Sequence, residues 1–473
     1  MTARAAVVGL GKIGLPLAVQ IAGKGVRVRG ADVSKAVVDL VSGGRAPFPG
    51  EPGLAERLGA AVRSGLLTAT TDTTAAVAES EVVVVVVPLL TDAAGQPDYR
   101  AVDAATARVA AGLRSGSLVS YETTLPVHAT RQRLGPALAA GSRLRPGLDF
   151  RLCHSPERVS SGTIFADLRR YPKLVGGIDA RSGQCATRFY ESVLDFDERP
   201  DLPRPNGVWD LGSAEAAELT KLAETTYRDV NIALANEFGC FAAAAGIDIY
   251  QVIAAANSQP FSHLHRPGIS VGGHCIPVYP RLYLAGDPGA RLPAVARQIN
   301  DAMPARAVRM LAGLTGGLAG LRVAVLGAAY RSGVKETACS GVFAVVRELA
   351  RRGARPMVHD PLYNEAELRG LRLQPYRIGA PCDAVIVHTD HPEYSVLAPA
   401  DLPGVRAIVD GRGVTDPGRW GAIPLRVIGQ PAGNGSSTIF APDRPAASDP
   451  AASQALAAGP APAGEGTRAG HPG

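Results

Sequence analysis

The chain has 473 residues, 46% of them hydrophobic and 19% charged, with a formal net charge of +6 at pH 7, values typical of a soluble globular enzyme. That length allows two or three domains with buried cores. The positive charge forms no Lys/Arg block, and the longest apolar run, Val82–Val87, is too short to span a membrane, so neither nucleic acid nor a membrane is expected as a partner.

The amino terminus predicts a dinucleotide-binding unit. The turn GLGKIG at residues 9–14 follows an apolar run, Ala5–Val8, and precedes a helical stretch from Leu15 to about Lys24. A second strand, Val26–Gly30, leads to an acid that would bind the ribose hydroxyls. Its charge would repel the extra phosphate of NADP, so NAD is the predicted cofactor, with contacts at Gly9, Gly11, Lys12, Ile13, Gly14 and Asp32.

Strands and helices continue to alternate as far as about residue 200. Further strands are predicted at Val82–Val87, Ser117–Tyr121 and Leu174–Gly176, with helical stretches between them. This alternation is typical of an α/β fold with a doubly wound parallel sheet. The first predicted domain therefore spans residues 1–205.

A single long helix is predicted from Ser213 to Ala245, closed by Gly246. The segment contains no internal proline and carries Glu215 and Glu218 near its positive end. At 1.5 Å per residue it would be roughly 50 Å long. A helix of that length usually bridges domains or forms a subunit interface.

Three polar residues of this helix share one face because they are spaced i, i+4 and i+7: Lys221, Thr225 and Arg228. They could be a solvated stripe or part of an active site. Only six of the 49 basic residues are lysines, and Lys221 is flanked by Leu219 and Leu222, so a functional role is a real alternative. An ammonium near a reacting oxygen can orient it and stabilise developing negative charge.

The segment ISVGGHCIPVYP at residues 269–280 predicts a nucleophile. A lone cysteine is most often a core residue. Here Gly272 and Gly273 remove side chains from the approach to Cys275, and Pro277 stiffens the exit. An open backbone of this kind is what a covalent nucleophile needs if a bulky substrate carbon must reach its sulfur.

The six cysteines give no sign of disulfides or of a zinc site, because they lie more than thirty residues apart without a CxxC pair. His263 and His265 have no carboxylate at metal-ligand spacing, so no metal is expected. No leader or lipidation signal is recognised at the start, and a reducing cytoplasm is the expected location.

A second α/β pattern begins near residue 321, and its predicted elements are the strand Val323–Gly327, the helix Gly341–Arg352 and the strands Pro356–His359, Ala384–His388 and Ala407–Val409. The chain thus divides into predicted units at residues 1–205, 206–305 and 306–430. Residues 431–473 are rich in Gly, Ala, Pro and Ser without periodicity, which predicts a disordered tail.

Together these segments resemble the nucleotide-sugar 6-dehydrogenases, the UDP-glucose/GDP-mannose dehydrogenase family. The resemblance spans about residues 4–428 and depends on ordered motifs: GLGKIGLPLA at 9–18, TTLPVHAT at 123–130, SPERV at 155–159, AELTKLAETTYRDVNIALANE at 217–237, GGHCIPV at 272–278 and HDP at 359–361. The family implies two Rossmann-like domains joined by a long central helix that also builds a homodimer. It further implies oxidation of a sugar C6 alcohol to a carboxylate with two NAD⁺.

The resemblance also implies roles for individual residues. Cys275 matches the nucleophile that captures the aldehyde, and Lys221 matches the catalytic lysine. Glu157 matches a carboxylate that activates the hydrolytic water. Thr124 matches the threonine near the nicotinamide, and Thr225 stands where the family usually has a catalytic asparagine.

Substrate contacts follow from the same resemblance. Residues 158 and 159 match the branch that acts on UDP-N-acetylhexosamines, because UDP-glucose enzymes more often have SPEFL there. A Tyr-Arg pair at 330–331 matches residues that hold the diphosphate. The implied substrate contacts are Arg158, Val159, Lys221, Arg228, Gly272, Tyr330, Arg331 and Arg412.

Several positions depart from the family pattern around the predicted site. Tyr279 replaces an Asp that is thought to work with the lysine and water, which places the hydrolysis step in question. Phe261 stands where an Arg commonly crosses the dimer, and Ala338 where an Arg commonly meets the cofactor. Leu89 replaces a Thr after the strand at Val82–Val87.

The leading hypothesis is an NAD-dependent dehydrogenase that oxidises a UDP-sugar, with a UDP-N-acetylhexosamine as the expected substrate. UDP-glucose is an alternative substrate, and an enzyme that stops at the aldehyde is an alternative activity suggested by Tyr279. A non-catalytic nucleotide-sugar-binding protein ranks last, because Cys275, Lys221 and Glu157 are all present.

Overall fold

A computed structural model of the chain describes residues 4–92 and 94–431, so the predicted disordered tail lies outside the described residues from position 432 onward. The described chain forms two α/β units with two long helices between them. This is the predicted architecture of two Rossmann-like domains and a central helix, which is confirmed.

An eight-stranded sheet forms the first unit, and a two-stranded hairpin, β5 with β6, stands apart from it. In chain order the strands are β1 (Arg4–Val8), β2 (Arg27–Ala31), β3 (Leu67–Thr70), β4 (Val82–Val85), β5 (Leu90–Thr91), β6 (Pro97–Asp98), β7 (Leu118–Tyr121), β8 (Arg151–His154), β9 (Lys173–Gly177) and β10 (Val208–Asp210). The helices are α1 (Gly14–Gly23), α2 (Lys35–Ser42), α3 (Leu54–Arg63), α4 (Thr73–Ala78), α5 (Arg100–Gly112), a π-helical turn (Thr130–Leu134), α6 (Gly135–Ser142), α7 (Ile164–Arg170) and α8 (Ala180–Val193).

The strand order of this sheet is β10-β9-β8-β7-β4-β1-β2-β3. All neighbouring strands are parallel except β8 and β9, which pair antiparallel. Because the carboxyl ends of parallel strands lie at one edge, the segments that follow β1, β4, β7 and β8 meet there. These segments carry the glycine turn, Thr124 and Glu157.

The predicted long helix is confirmed as α9 (Ala214–Ala244), 31 residues that begin after Ser213, whose hydroxyl accepts from the Ala216 amide at 3.2 Å. Two short helices follow, α10 (Ile249–Ala256) and α11 (Tyr279–Gly286). A second long helix, α12 (Arg291–Thr315), was not predicted, because Pro304 inside it resembles a helix break.

Buried polar contacts join α9 to α12. The Arg297 guanidinium lies 2.9 Å from the Asp229 carboxylate, and the Asn300 amide donates to the same carboxylate at 2.8 Å. Asn236 donates to Asn300 at 2.9 Å. These partners hold the α12 segment in a helix despite its proline.

The second unit is a five-stranded parallel sheet in the order β12-β11-β13-β14-β15. Its strands and helices are β11 (Arg322–Leu326), α13 (Val342–Arg351), β12 (Arg355–His359), α14 (Glu365–Gly370), β13 (Ala384–Val387), β14 (Ile408–Asp410) and β15 (Leu425–Val427), with 3₁₀ turns at Pro392–Tyr394, Pro399–Asp401 and Pro417–Arg419. In both units apolar side chains alternate along the strands into separate cores on the two faces of the sheet.

The proposed domain limits remain predictions. Strand β10 belongs to the first sheet although it lies beyond residue 205, and α12 runs across residue 305. Over residues 4–92 and 94–431, no helix is both long and apolar enough to cross a membrane. In the same part of the chain, no cluster of three or more His, Cys, Asp or Glu residues is arranged to hold a metal.

Candidate active site

The glycine turn at residues 9–14 links β1 to α1 and forms the first half of the site. Gly9 has φ +97°, and a side chain at Gly14 would lie 1.9 Å from the Gly9 carbonyl oxygen, so both positions require glycine. A Cβ at Gly11 would meet nothing within 4 Å. Gly11 therefore leaves open space at the helix N-terminus, where amides can bind a pyrophosphate.

Asp32 directly follows β2, and its side chain contacts this turn. Its carboxylate accepts from the Leu10 amide at 2.8 Å and from the Ser34 amide at 2.9 Å. A carboxylate has about four acceptor sites, so two remain for ribose hydroxyls. The open space, the helix N-terminus and this carboxylate fit a dinucleotide.

Two further predicted cofactor residues lie in the same turn. The Ile13 side chain packs against the buried apolar residues on one face of the first sheet. The Lys12 ammonium instead forms an ion pair with Glu336 of the second unit. The same Glu336 oxygen lies 3.9 Å from the His274 ring, so the glycine turn, the cysteine loop and the second unit meet at this carboxylate.

The predicted nucleophile lies just before α11. Its thiol is partly exposed, and the Cys275 carbonyl accepts from the Tyr279 amide at 2.9 Å. Burial, reinforced by the nearby Cys275 thiol, raises the Tyr279 pKa. The Lys221 ammonium lies 6.0 Å from the centre of the Tyr279 ring. The structure thus brings Lys221 and the loop that carries Cys275 to one tyrosine.

The polar face of α9 is divided between interior and surface. Lys221 and Thr225 are buried, whereas Arg228 is exposed. The Thr225 hydroxyl donates back to the carbonyls of Lys221 at 3.0 Å and Leu222 at 3.1 Å. Its hydrogen is used within the helix, so Thr225 lines the site without offering a donor in this arrangement.

Glu157 lies in the loop after β8, and its carboxylate is well supplied with donors. One oxygen accepts from the amides of Arg158 at 2.6 Å and Val159 at 3.1 Å. The other accepts from the Lys173 ammonium at 3.2 Å. Burial acts to raise the Glu157 pKa, but Lys173 and these donors outweigh it, and the pKa is lowered.

Lys173 also lies 3.0 Å from a second carboxylate, Glu122. The Tyr190 hydroxyl donates to Glu122 at 2.6 Å and lies 2.8 Å from the Ser120 hydroxyl. Burial raises the pKa of Glu122 to about 7, against the opposing charge of Lys173. Together, Lys173, Glu122 and Glu157 carry a net charge of −1 when both carboxylates are ionised, and they are neutral when one is protonated.

The neighbouring predicted substrate residues differ in their surroundings. The Arg158 guanidinium lies 2.5 Å from the Glu224 carboxylate of α9 and donates to the Pro172 carbonyl at 3.2 Å. The Val159 side chain packs against the buried apolar residues on the same face of the first sheet as Ile13. Arg158 is therefore held between the β8 loop and the central helix.

A cleft of about 660 Å³ lies between α9, α10 and the second unit. It brings together four of the predicted substrate residues, one from α9, one from the cysteine loop and two from the second unit: Arg228, Gly272, Tyr330 and Arg412. The Ile276 side chain, next to Cys275, also lines it. The cleft therefore borders the cysteine loop, and its volume suits a small organic ligand.

The two glycines before the cysteine pack against the second unit. A Cβ at Gly272 would lie 2.5 Å from the Tyr330 Cβ, and a Cβ at Gly273, whose φ is +89°, would lie 3.1 Å from the Tyr330 ring. The Gly273 amide donates to the Ala338 carbonyl at 2.9 Å. These glycines let the second unit pack closely on the loop that carries Cys275.

Two of the predicted substrate arginines, Arg331 and Arg412, also contact neighbouring segments. Arg331 donates to the Ser161 carbonyl of the first unit at 2.8 Å. Arg412 donates to the carbonyls of His388 at 3.1 Å and Ser270 at 3.4 Å. Because carbonyl partners leave the guanidinium charge uncompensated, Arg412 can attract an anionic group in the cleft.

Profiles of the UDP-glucose/GDP-mannose dehydrogenase family match the chain in three places: the NAD binding domain at residues 3–194, the central domain at 215–301 and the UDP binding domain at 324–417. The chain belongs to this family. It is an NAD-dependent nucleotide-sugar dehydrogenase, and its first unit is the NAD-binding domain.

Individual relatives of this dehydrogenase match over most of its length. A UDP-N-acetyl-D-mannosamine dehydrogenase from Pyrococcus horikoshii is 34% identical over 425 residues, which cover 87% of this chain and 96% of the relative. An NDP-N-acetyl-D-galactosaminuronic acid dehydrogenase from Ralstonia solanacearum is 31% identical, with 86% and 95% covered.

Solved structures agree with this nucleotide-sugar dehydrogenase fold. The UDP-D-ManNAc dehydrogenase of Pyrococcus horikoshii superposes with a TM-score of 0.81 at 31% identity, over 90% of this chain and 99% of that one. A UDP-glucose dehydrogenase from Pyrobaculum islandicum gives a TM-score of 0.79 at 28% identity, over 91% and 98%.

The network behind Glu157 in this dehydrogenase was not predicted from the sequence. Lys173 is one of only six lysines, the same rarity that singled out Lys221, and it lies next to a strand end. Glu122 directly follows β7. Both signals were present, but only the sheet order shows that β7, β8 and β9 bring these side chains together.

Proposed function

We propose that this dehydrogenase oxidises the C6 alcohol of a UDP-N-acetylhexosamine to the carboxylate in two steps. The observation that carries the proposal is that Lys221 and the Cys275 loop meet at Tyr279 and that this loop borders the cleft. The relatives named for UDP-N-acetyl-D-mannosamine support this class of sugar.

The bonds change in four stages. Hydride leaves C6 for NAD⁺ and the hydroxyl proton is released, which gives an aldehyde. The Cys275 sulfur bonds to the aldehyde carbon, and the carbonyl oxygen takes a proton to form a thiohemiacetal. Transfer of a second hydride to a second NAD⁺, with loss of the hydroxyl proton, leaves a thioester. Water then adds, the carbon–sulfur bond breaks, and the acid leaves.

The charged residues have complementary roles in this proposal. Lys221 is buried, so its ammonium acts in a medium of low polarity on the oxygen of C6. Thr124 would lie beside the nicotinamide. Glu157 is ionised because its pKa is lowered, and it orients the hydrolytic water. Thr225 fills the space beside Lys221.

The second unit would hold the nucleotide. Arg228, Tyr330 and Arg412 line the cleft, and Arg331 follows Tyr330 in the chain. Guanidinium groups bind phosphate oxygens well because their donors are planar and fixed. Arg158 and Val159 would contact the sugar, which favours an N-acetylhexosamine over UDP-glucose.

A dehydrogenase that stops at the aldehyde is a second candidate. Its supporting observation is Tyr279, a neutral phenol beside the thiol, because a neutral phenol does not draw a proton from water as a carboxylate does. A purely ligand-binding protein is disfavoured by the intact Cys275 and Lys221.

The test is a panel of UDP-, dTDP- and GDP-sugars with NAD⁺, in which NADH is quantified by absorbance and product by mass. We expect two NADH per sugar acid with a UDP-N-acetylhexosamine. Cys275→Ala should form no acid. One NADH per sugar with an aldehyde product would select the second candidate, and ligand-dependent stabilisation without NADH would select a binding protein.

A homodimer through α9 is also part of the proposal. Four apolar side chains on this helix are exposed at i, i+7, i+11 and i+14, a spacing that forms one stripe: Tyr227, Leu234, Phe238 and Phe241. Phe241 is 72% exposed. A stripe of this kind is typical of a helix that packs against a partner.

Phe241→Glu should convert the dimer to a monomer, measured by light scattering after size-exclusion chromatography. Leu148→Glu is the matched control, because Leu148 is 67% exposed but lies outside the helix. A monomeric wild type would contradict the dimer. All six cysteines are free, which suits the cytoplasm as the proposed location.

A further inference from the structure

Lys173, the first residue of β9, is a buried cation between two carboxylates. Its side chain is 5% exposed, and its ammonium lies 3.0 Å from the Glu122 carboxylate and 3.2 Å from that of Glu157. The centre of the Tyr190 ring is 4.8 Å from the same ammonium. Burying a charge is costly unless it is paired, so one cation beside two carboxylates favours a state in which one of them holds a proton.

The hydrogen bonds of the two carboxylates decide which one holds it. One Glu157 oxygen accepts from the backbone amides of the next two residues, at 2.6 and 3.1 Å, and the other accepts from Lys173. Backbone amides can only donate, so they stabilise the ionised form of Glu157. Glu122 accepts from the Tyr190 hydroxyl at 2.6 Å, but its second oxygen makes an ion contact with Lys173 and accepts no hydrogen bond among the described residues. The proton therefore belongs on Glu122.

The other titratable groups around this cluster are neutral or paired elsewhere. Burial raises the pKa of Cys153 to about 12 and lowers that of His154 to about 3, so both of these β8 side chains are neutral at pH 7. Burial also raises the pKa of Tyr190, on α8. The Arg158 guanidinium is paired with a carboxylate of α9. Lys173 is therefore the cation that contacts both carboxylates.

We propose that Lys173 is a positioning residue that keeps Glu157 ionised as the base for thioester hydrolysis, while Glu122 holds the proton of the cluster. Water adds its oxygen to the thioester carbon, one water proton passes to Glu157, and the carbon–sulfur bond breaks to leave the acid and the Cys275 thiolate. The inference rests on the proposed function, which gives Glu157 its role. The pKa directions agree with it, because burial raises the pKa of Glu122 to about 7, whereas Lys173 outweighs burial at Glu157 and its pKa is lowered.

Carbon-13 NMR of the full chain, labelled at the glutamate Cδ, measures which carboxyl holds the proton without sugar or NAD⁺. Glu122→Gln and Glu157→Gln each remove one signal and so assign the pair. In the wild type from pH 5 to 9, we expect the Glu122 signal to titrate at about pH 7 and the Glu157 signal to stay at its ionised position. A Glu157 signal that titrates in this range, or a Glu122 signal that is already ionised at pH 5, would overturn the proposal.

Lys173→Met tests the effect on hydrolysis, because it removes the charge and keeps an unbranched side chain. In a single turnover both hydride transfers should keep the wild-type rate. Acid release should fall about tenfold at pH 6 and recover toward pH 9, because Glu157 without its cation ionises only at higher pH. The Cys275 thioester should then accumulate at pH 6, measured by the mass of the intact chain.

Lys24→Met is the matched control, because Lys24 pairs with Asp195 at the surface of the same unit, and it should keep the wild-type pH profile. Lys173→Arg, which keeps the cation, should show a smaller loss at pH 6 than Lys173→Met. An equal loss at every pH in Lys173→Met would indicate a structural role and overturn the proposal. If Lys173→Met does not fold, or if the wild type oxidises no nucleotide sugar and the proposed function fails, the NMR titration still decides which carboxyl holds the proton.

Discussion

Two glycine segments of this enzyme look alike in the sequence but act through different contacts. In the turn at residues 9–14, a Cβ on Gly14 would meet the backbone of Gly9, five residues earlier. In the segment at residues 272–273, a Cβ on Gly272 would meet Tyr330, 58 residues later and in the other α/β unit. The first segment needs glycine for its own fold, and the second needs it for the approach of another domain.

One segment owes its geometry to residues close by in the sequence, and the other owes it to residues of a distant segment. A turn that closes on itself binds its cofactor with backbone amides, so its function depends on a few consecutive residues. The cysteine loop is positioned by Tyr330, Ala338 and α11, and its function depends on how two units meet. Substitutions in the glycine turn should therefore weaken NAD⁺ binding, and substitutions in the cysteine loop should weaken nucleotide-sugar binding.

Gly14→Ala should have the largest effect. Its Cβ would lie 1.9 Å from the Gly9 oxygen, a backbone atom that cannot move aside without opening the turn. We expect NAD⁺ binding to weaken by about 100-fold, roughly 3 kcal/mol. Titration calorimetry measures this, and Gly23→Ala is the control because its Cβ meets nothing within 4 Å. Equal NAD⁺ affinity in both variants would contradict the local role of this turn.

Gly272→Ala should have a smaller effect, confined to nucleotide-sugar binding. The clash at 2.5 Å is with the Tyr330 side chain, which can shift together with the second unit. We expect the KM for the nucleotide sugar to rise about tenfold, with NAD⁺ affinity unchanged. Gly286→Ala, near the end of α11 in open space, is the matched control. A matching loss of NAD⁺ affinity would show that the two halves are not separable.

The same distinction explains what could be predicted from the sequence. The glycine turn, Asp32 and α9 were recognised because strand, turn, helix and cap signals are consecutive. The packing role of Gly272, the Glu122–Lys173 network and α12 were missed because each depends on partners distant in sequence. The helix α12 contains Pro304, and buried contacts to Asp229 on α9 stabilise it.

The Glu122 network makes stability depend on pH. Its pKa of about 7 is raised above the ordinary value of 4.5, so the folded state holds this proton more tightly than the unfolded state. The resulting stability is complete below about pH 4.5 and is lost as pH rises through 7. With Glu122 protonated, Lys173 and Glu157 form a neutral buried pair.

Glu122→Gln should therefore flatten this dependence. The amide mimics the protonated carboxyl, and relative to the wild type the variant should gain about 1 kcal/mol between pH 6 and pH 8. Thermal unfolding across that range measures the difference. Glu81→Gln is the control, because Glu81 is an exposed surface carboxylate whose pKa is lowered by Arg4. A wild-type curve parallel to that of Glu122→Gln would contradict the raised pKa.

The smallest expected effect concerns the Lys12–Glu336 ion pair, which joins the first glycine turn to the second unit. The Lys12 ammonium of the first turn pairs with Glu336, which also lies 3.9 Å from His274 beside the nucleophile. Because this pair spans the two units, breaking it should weaken the coupling between NAD⁺ and nucleotide-sugar binding. The Lys12 side chain is 35% exposed, so water screens the pair and the change should be only about twofold to fivefold.

Calorimetry of nucleotide-sugar binding with and without NAD⁺ gives this coupling directly, and linkage requires the same factor in the reverse order of addition. Glu336→Gln should lower it, whereas Lys335→Met should not, because Lys335 pairs with Glu367 inside the second unit. If Glu336→Gln leaves the coupling unchanged, the NAD⁺ site and the nucleotide-sugar site communicate through the packing of Tyr330 on the cysteine loop rather than through charge. Gly272→Ala would then be the variant that uncouples them.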